Sequence, residues 1–341
     1  MNVAGALYGG LDLHGDNVFC SLLNDAREVV FERRLPNDLA TIREALEPFR
    51  KRVRTLAVES TYNWYWLVDG LRSLHYDTRL ANPARMQENI GLKVANDKTD
   101  ARFLARQLVN GILPEGYIYP AEMRGVRDLL RRRMRLVHTR TGEWLSLEGL
   151  VARHTGQDLT VKELETAKIG ELLAGHPEAI LMAQASFRHI AFLDREIKEL
   201  EKSVMAALPD DTAYKRLMTV PGIGPVLART ILLETGPIGR FREAGNYASY
   251  CRAVRSEHTS NNRKKGKGND KCGNKYLAWA FVEAANFAVR YSPELRAWFQ
   301  RKQARSGKRV VAVKALACKL AKACFFMLRD GTEFDVKKLV G

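Results

Sequence analysis

The chain has 341 residues, 46% of them hydrophobic, and its 55 lysines and arginines against 39 acids give a formal net charge of +16. That length suits two or three globular domains, and that apolar content excludes a chain too polar to fold. The excess of positive charge points to polyanionic partners, nucleic acid first among them.

No apolar run approaches the ~18 residues of a membrane span, and the opening residues do not read as a leader. A cytoplasmic protein without membrane contact is the expectation. Cys20, Cys251, Cys272, Cys318 and Cys324 form no CxxC pair, so neither a zinc site nor a disulfide framework is expected.

Ala6–Leu13 reads as a buried strand broken by glycine and ending near Asp12. Val18–Leu23 and Val29–Leu35 follow after short polar breaks, which makes an antiparallel meander. Asp38–Arg50 places Ile42, Leu46 and Phe49 on one helical face. Val53–Val58 is a short buried strand with Glu59 at its C-terminal end. Tyr62–Leu74 is an aromatic-rich helix, and Thr78–Ala81 is a fifth strand closed by Asn82-Pro83. The stretch Ala95–Gln107 opens a further helix, with Asp97 and Asp100 on one face of its start and Leu104, Leu108 and Ile112 following at helical spacing. The order β-β-β-α-β-α-β-α is that of the ribonuclease-H-like fold. There the first and fourth strands lie side by side, so Asp12 and Glu59 would meet at one edge of the sheet.

Asp97 as an N-cap in a charged first turn is one reading of that helix start. The other is chemical: carboxylates on one face repel unless a cation lies between them. Asp12, Glu59, Asp97 and Asp100 together are enough to hold two Mg2+ ions that activate a nucleophile and stabilise the leaving oxygen of a phosphodiester.

From Ala121 to about Leu150 a long helix turns Val126, Leu130, Met134 and Val137 inward. Its other face carries Arg124, Arg127, Arg131, Arg132, Arg133, Arg135 and Arg140 against Asp128. Crowded arginines repel one another without phosphates between them, so this is an expected nucleic-acid face. Ile190, Leu193, Ile197, Leu200 and Val204 step as a coiled-coil seam; it is short enough to pack within its own domain, but the expectation is that it joins copies of the chain into a homo-oligomer, a dimer or tetramer. Pro209-Asp210-Asp211 breaks that helix. In Thr219–Thr230, TVPGIGPVLART, Gly222 and Gly224 suit a helix-hairpin-helix turn whose backbone N–H groups grip a phosphate. A tight turn for packing is the alternative.

Val254–Asn274 is the most polar stretch. Six bases between Arg263 and Lys275, among them Lys264, Lys265 and Lys267, face the single Asp270, as in a loop that orders on a polyanion. Ser260 stands just upstream, beside cations that would hold a phosphate. Three helices finish the chain, near Tyr276–Val289, Pro293–Ala304 and Val310–Leu328. Between Leu295 and Arg329 there are ten bases and no acid, interleaved with Trp298 and Phe299. The residues after Asp330 read as a tail. The expected division is a catalytic domain over 1–115, a basic helical connector over 116–208, a second domain over 209–330 and a tail over 331–341.

Taken together, GLDLHG, ESTYNWYWLVDGL, NDKTDARFLA, VPGIGPVLA, SEHTSNNRKKGK and GNKYLAWAFVEAA resemble the DEDD-type insertion-sequence transposases, the one-ten family with its eleven-eleven subgroup. The resemblance spans nearly the whole chain. It implies a RuvC-like N-terminal domain whose four acids fall on Asp12, Glu59, Asp97 and Asp100. It also implies a serine nucleophile in the second domain, which aligns on Ser260 in His258-Thr259-Ser260-Asn261. His258 stands where tyrosine is frequent and Asn261 where glycine is frequent, so Ser256 and Thr259 stay in play. Gly15 replaces a common lysine. The family implies DNA as substrate and a noncoding RNA from the element's own end that pairs with donor and target DNA. Three other readings compete. A site-specific invertase would have the same architecture, a junction-resolving nuclease would need the acids but no serine, and a structural nucleic-acid binder would need neither.

Overall fold

The computed structural model describes residues 5–86, 96–254, 257–260, 263–267 and 272–340, the segments 257–260 and 263–267 by backbone alone. The chain divides into two compact units, Met1–Ala121 with Lys267–Cys272, and Glu122–Gly266 with Gly273–Gly341.

The first unit is built on β1 (Leu7–Leu13), β2 (Asn17–Asn24), β3 (Val29–Pro36), α1 (Leu39–Leu46), β4 (Val53–Glu59), α2 (Trp64–Ser73), β5 (Thr78–Ala81), α3 (Asp97–Val109) and the two-residue β6 (Glu115–Gly116). The sheet order is β3-β2-β1-β4-β5-β6. β1 pairs parallel with β4, Leu11 opposite Val58, as the order of elements predicted. The first three strands form the antiparallel meander, and β6 adds antiparallel to β5. Two residues of strand carry no readable period, so β6 is not visible in the sequence.

Strand alternation sorts the sheet into two faces. Leu7, Leu11, Leu13, Cys20, Leu22, Leu56 and Val58 pack with Ile42 and Leu46 of α1 and with Leu67, Val68 and Leu71 of α2. The opposite face is lined by small residues under α3, where Ala57 and Ala81 meet Leu104. Gly10 is the tightest point: a Cβ there would run into the carbonyl of Ala101, and would lie 2.8 Å from the Ala105 nitrogen and 2.9 Å from the Leu104 Cβ. The α3 backbone therefore rests directly on β1.

Polar anchors hold α3 in this place. The Glu32 carboxylate of β3 receives both the Nε of Arg102 and its Nη2, the latter at 2.8 Å, together with Lys98 at 3.2 Å. Burial works to raise the Glu32 carboxyl, but hydrogen bonds from Arg102 and Lys98 outweigh it and leave the group below its ordinary value.

The second unit contains α4 (Ala121–Thr155), α5 (Val161–Thr166), α6 (Ile169–Leu172), α7 (Pro177–Ala207), α8 (Thr212–Met218), α9 (Pro225–Thr235), α10 (Ala244–Tyr250), β7 (Glu257–Ser260), β8 (Arg263–Lys267), α11 (Lys275–Tyr291), α12 (Pro293–Ser306), α13 (Arg309–Asp330) and α14 (Val336–Val340). β7 and β8 pair with each other. α4 and α7 run antiparallel as a long hairpin: Leu130 meets Val204, Leu136 meets Leu193 and Ile197, and Leu147 and Val151 meet Ala179 and Ala183.

The seam at Ile190–Val204, expected to join two copies, is thus consumed within one chain. Ile190, Leu193, Ile197 and Val204 are all buried, because α4 offers a complementary apolar stripe a few tens of residues away and closes the seam without a partner. The expected tail also folds back. Leu339 is buried in the core of helices α8 to α13, and its carbonyl accepts a 2.6 Å hydrogen bond from Lys319.

Gly10→Ala is expected to lift α3 off β1 and to cost about 3 kcal/mol, because the obstruction is helix backbone, which cannot rotate away. A thermal melt of the full chain within 1 °C of wild type would refute the close approach. A second expectation concerns acid. Glu32 titrates below its ordinary 4.5 in the folded protein, so its contribution is complete above that pH and is lost as pH falls further, through the depressed folded value. Glu32→Gln should lower stability at neutral pH by about 1–2 kcal/mol and flatten the fall in melting temperature below pH 4.5; parallel melting curves for both proteins on acidification would contradict it.

Candidate metal centre

Asp12 is the second-last residue of β1 and is only 3% exposed. Strand alternation puts it on the same face as Gly10, facing α3. A capping box closes the start of α3: Asn96 Oδ1 accepts from the Thr99 N–H at 3.0 Å, and Thr99 Oγ1 accepts from the Asn96 N–H at 2.9 Å. The sequence left Asp97 as a possible N-cap, but Asn96 fills that position. Asp97 is the first helical residue, and its carboxylate is free to turn toward the sheet.

The two carboxylates meet around an imidazole. His14 Nε2 lies 3.1 Å from Asp12 Oδ2 and 3.3 Å from Asp97 Oδ1. One ligand atom from each of Asp12, His14 and Asp97 falls within 4.8 Å of the others. The far oxygen of Asp97, Oδ2, is held at 2.5 Å by Arg34, so Oδ1 faces inward. Asp12 Oδ2 and His14 Nε2 are buried and have no hydrogen-bond partner among the described residues. A buried carboxylate oxygen without a donor is costly, and a divalent cation among three convergent donors removes that cost. The residues fit a metal.

The cluster among the described residues is therefore Asp12, His14 and Asp97. Glu59 ends β4 beside Asp12 on the same sheet face, and Asp100 follows Asp97 by one helical turn. Both are engaged in interactions of their own and lie outside the close cluster. Sequence reasoning missed His14, Arg34, Asn37 and Asn63. The signal for His14 was present in Asp12-Leu13-His14, since residues two apart along an extended chain share a face.

The arginine-rich helix face is different from what its composition suggests. Arg124 and Arg127 are buried. Arg131 makes a bidentate pair with Glu234 of α9, at 2.6 and 2.8 Å. Arg133 reaches Glu201 at 2.7 Å and Arg140 reaches Asp194 at 2.5 Å, both on α7. The premise that these arginines need phosphates to relieve repulsion is overturned, because α7 and α9 supply carboxylates. Arg132 and Arg135 remain exposed.

In the turn before α9, Gly222 takes φ +91°, and a Cβ there would strike the carbonyl of Ala284 on α11. The glycine is thus required for packing against α11. Gly224 is the N-cap of α9, followed by Pro225, and has open space where a Cβ would be. Ser260 ends β7, and Arg263, Lys264, Lys265 and Lys267 lie on β8; their side chains, like Ser256, fall outside the described residues. Of the five cysteines, Cys20, Cys251 and Cys324 are buried. Burial pushes the Cys20 and Cys324 thiols up to about 12, which makes them inert. No helix among the described residues is long and apolar enough to cross a membrane.

The first unit thus carries a mixed sheet with a candidate divalent-metal site at the end of its central strand β1, the class of site found in metal-dependent enzymes that act on phosphodiesters. Residues 9–154 match the family model described as Transposase, of the DEDD IS110 type. Residues 214–300 match that of the Transposase IS116/IS110/IS902 family. Among curated proteins, a probable family 20 transposase of Pseudomonas aeruginosa is 27% identical over 289 residues, 79% of this chain and 81% of that protein. The transposase for insertion sequence element IS1328 of Yersinia enterocolitica is 26% identical over 47% of this chain and 48% of its own. The transposase for insertion sequence element IS1111A of Coxiella burnetii is 22% identical over 67% of this chain and 63% of its own. The chain belongs to the IS110 family of DEDD transposases: it is a DNA transposase of an insertion sequence.

The two kinds of arginine on α4 should behave differently. Arg131→Ala removes the cation from the Glu234 carboxylate, whose side chain is 2% exposed, leaving it only the Asn274 amide among the described residues, and should cost about 2 kcal/mol of stability. Arg132→Ala should leave the melt unchanged and, if this surface meets a phosphate, reduce the slope of log affinity for DNA against log salt by about 1. Equal melts for both variants would refute the distinction.

Proposed function

We propose that this transposase cuts and rejoins DNA through a divalent metal held by Asp12 and Asp97, with Glu59 and Asp100 completing the acidic set, and through Ser260 as nucleophile. The observation that carries the metal reading is the buried Asp12 Oδ2, without a hydrogen-bond partner among the described residues and 3.1 Å from a His14 Nε2 in the same condition. Mg2+, two ions in the fullest form, is the cofactor the acidic set suggests. A divalent ion supplies Lewis-acid stabilisation of the charge that develops on phosphodiester oxygens.

The chain's own residues do the rest. Asp12 and Asp97 orient the ion, and Arg34 fixes which oxygen of Asp97 points inward. The Ser260 hydroxyl attacks the phosphorus: a serine O–P bond forms, the P–O bond to the departing deoxyribose oxygen breaks, and that oxygen takes up the proton released from the serine. The phosphoserine conserves the bond energy, so a strand hydroxyl can attack in turn and restore the serine. Arg263, Lys264, Lys265 and Lys267 neutralise phosphate beside it, and Arg132, Gly224 and the basic surface over Leu295–Arg329 extend the contact. The residues over 1–115 carry the metal chemistry, those over 209–330 the serine, and the hairpin over 116–208 connects them. A noncoding RNA that pairs with both DNAs is the proposed guide, and a homo-oligomer is the proposed assembly, with an interface other than the Ile190–Val204 seam.

Asp97→Asn keeps volume and removes charge, so it should abolish strand exchange while DNA binding stays within about twofold. Wild-type protein trapped with a suicide substrate should carry a covalent DNA adduct that Ser260→Ala lacks. Normal exchange by the asparagine variant makes that carboxylate structural. An undiminished adduct in the alanine variant transfers the serine's role to Ser256 or Thr259, and a protein that cleaves with no adduct at all leaves the junction-resolving reading.

A further inference from the structure

The loop that follows β1 is pinned far more firmly than a turn between two strands requires. The His14 N–H donates to the Asn17 carbonyl at 2.8 Å. The His14 carbonyl accepts from Asn37 Nδ2 at 3.0 Å and from Asn63 Nδ2 at 2.9 Å. Those asparagines come from the end of β3 and from the residue before α2, so three separate segments fix one backbone position. What that position presents is an imidazole whose Nε2 edge lies inward between Asp12 and Asp97, although the side chain as a whole is 42% exposed.

A protonated imidazole that merely bridged the two carboxylates would donate its Nε2–H to one of them. Neither contact has hydrogen-bond geometry, and Nε2 and Asp12 Oδ2 are both without a hydrogen-bond partner among the described residues. Nε2 directed at two carboxylate oxygens, with a hydrogen bond to neither, is the arrangement of a ligand set. We propose that His14 is a nitrogen ligand to the metal of this site, and that the mixed set of Asp12, His14 and Asp97 therefore prefers Mn2+ to Mg2+. The proposal rests on the metal reading above and adds to it the donor that the acidic signature omits. Carboxylate oxygens accept either ion, whereas imidazole favours first-row transition ions over Mg2+, which holds its waters and takes oxygen ligands. Asn37 and Asn63 position the ring by holding its backbone, and Arg34 holds the outer oxygen of Asp97, the kind of outer support that tunes metal sites.

The test uses the full chain and Mn2+ alone as probe, read by pulsed electron paramagnetic resonance. Wild-type protein should bind Mn2+ saturably and show the hyperfine coupling of an imidazole nitrogen. His14→Gln should lose that coupling and weaken Mn2+ binding about ten- to a hundredfold, while Mg2+, measured by competition, should change little. Bound Mn2+ with no imidazole coupling in the wild type overturns the role of His14 and leaves the carboxylate site standing. No saturable Mn2+ binding overturns the metal reading itself. The wild-type spectrum decides the question even if the glutamine variant folds poorly.

Discussion

The position of α3 depends on one missing side chain. Gly10 lets helix backbone lie on strand backbone, and the carboxylates at the ends of those two elements come together as a result. Any Cβ at position 10 would push the helix outward, and Asp97 rides on its first turn. The helix is then tied laterally through Arg102 and Lys98 to Glu32. Its start is closed by Asn96 and Thr99, so that Asp97 need not serve as a cap. Steric clearance, an ion-pair anchor and a cap carried by a neighbouring residue thus all act on one helix terminus. Each relieves Asp97 of a structural duty and leaves its inner oxygen to the site.

Charge follows a second logic in the helical unit. Its arginines are partly internal mortar: Arg131, Arg133 and Arg140 tie α4 to α9 and α7 through Glu234, Glu201 and Asp194. Asn274 also donates to Glu234, at 2.7 Å, while its own oxygen caps α11. A single buried carboxylate therefore joins the long hairpin to the helix that follows the Ser260 segment. Net charge read from composition overstates the charge offered to a polyanion, because several of these cations are neutralised inside the fold.

Local patterns were legible where they were strong. The five longer strands of the sheet, the pairing of β1 with β4, the meander and the helix starting at Asp97 could all be read from alternation, turns and helical period. Asp12 and Asp97 were grouped although the chain separates them by more than eighty positions, because carboxylates on one face ask for a cation and the family resemblance places both in one acidic set; the fold itself argued only for Asp12 beside Glu59. His14 was not, although its spacing from Asp12 carried the signal, because the asparagines that hold it, Asn37 and Asn63, come from the ends of distant elements. The seam at Ile190–Val204 was legible as apolar, and of the two covers it allowed, a second copy or its own domain, the structure shows the second. Periodicity shows that a stripe must be covered but not by what, and here the cover is α4. The arginines of α4 fail for a similar reason, because helical spacing does not reveal carboxylates on other helices.

The hairpin of α4 and α7 has a mechanical consequence. With 35 residues, α4 is a rod of about 50 Å. Its apolar contacts with α7 are distributed along its length, and its base is fastened to α9 through Leu130, Val204 and Leu233. A beam clamped at one end converts rotation into travel. Tilting its root by about 5° sweeps the tip near α5 and α6 through about 4 Å, by the geometry of a helix that rises 1.5 Å per residue. The small cluster of Leu164, Ile169 and Leu173 at that tip is thus where a slight repacking at the base produces the largest displacement within this unit.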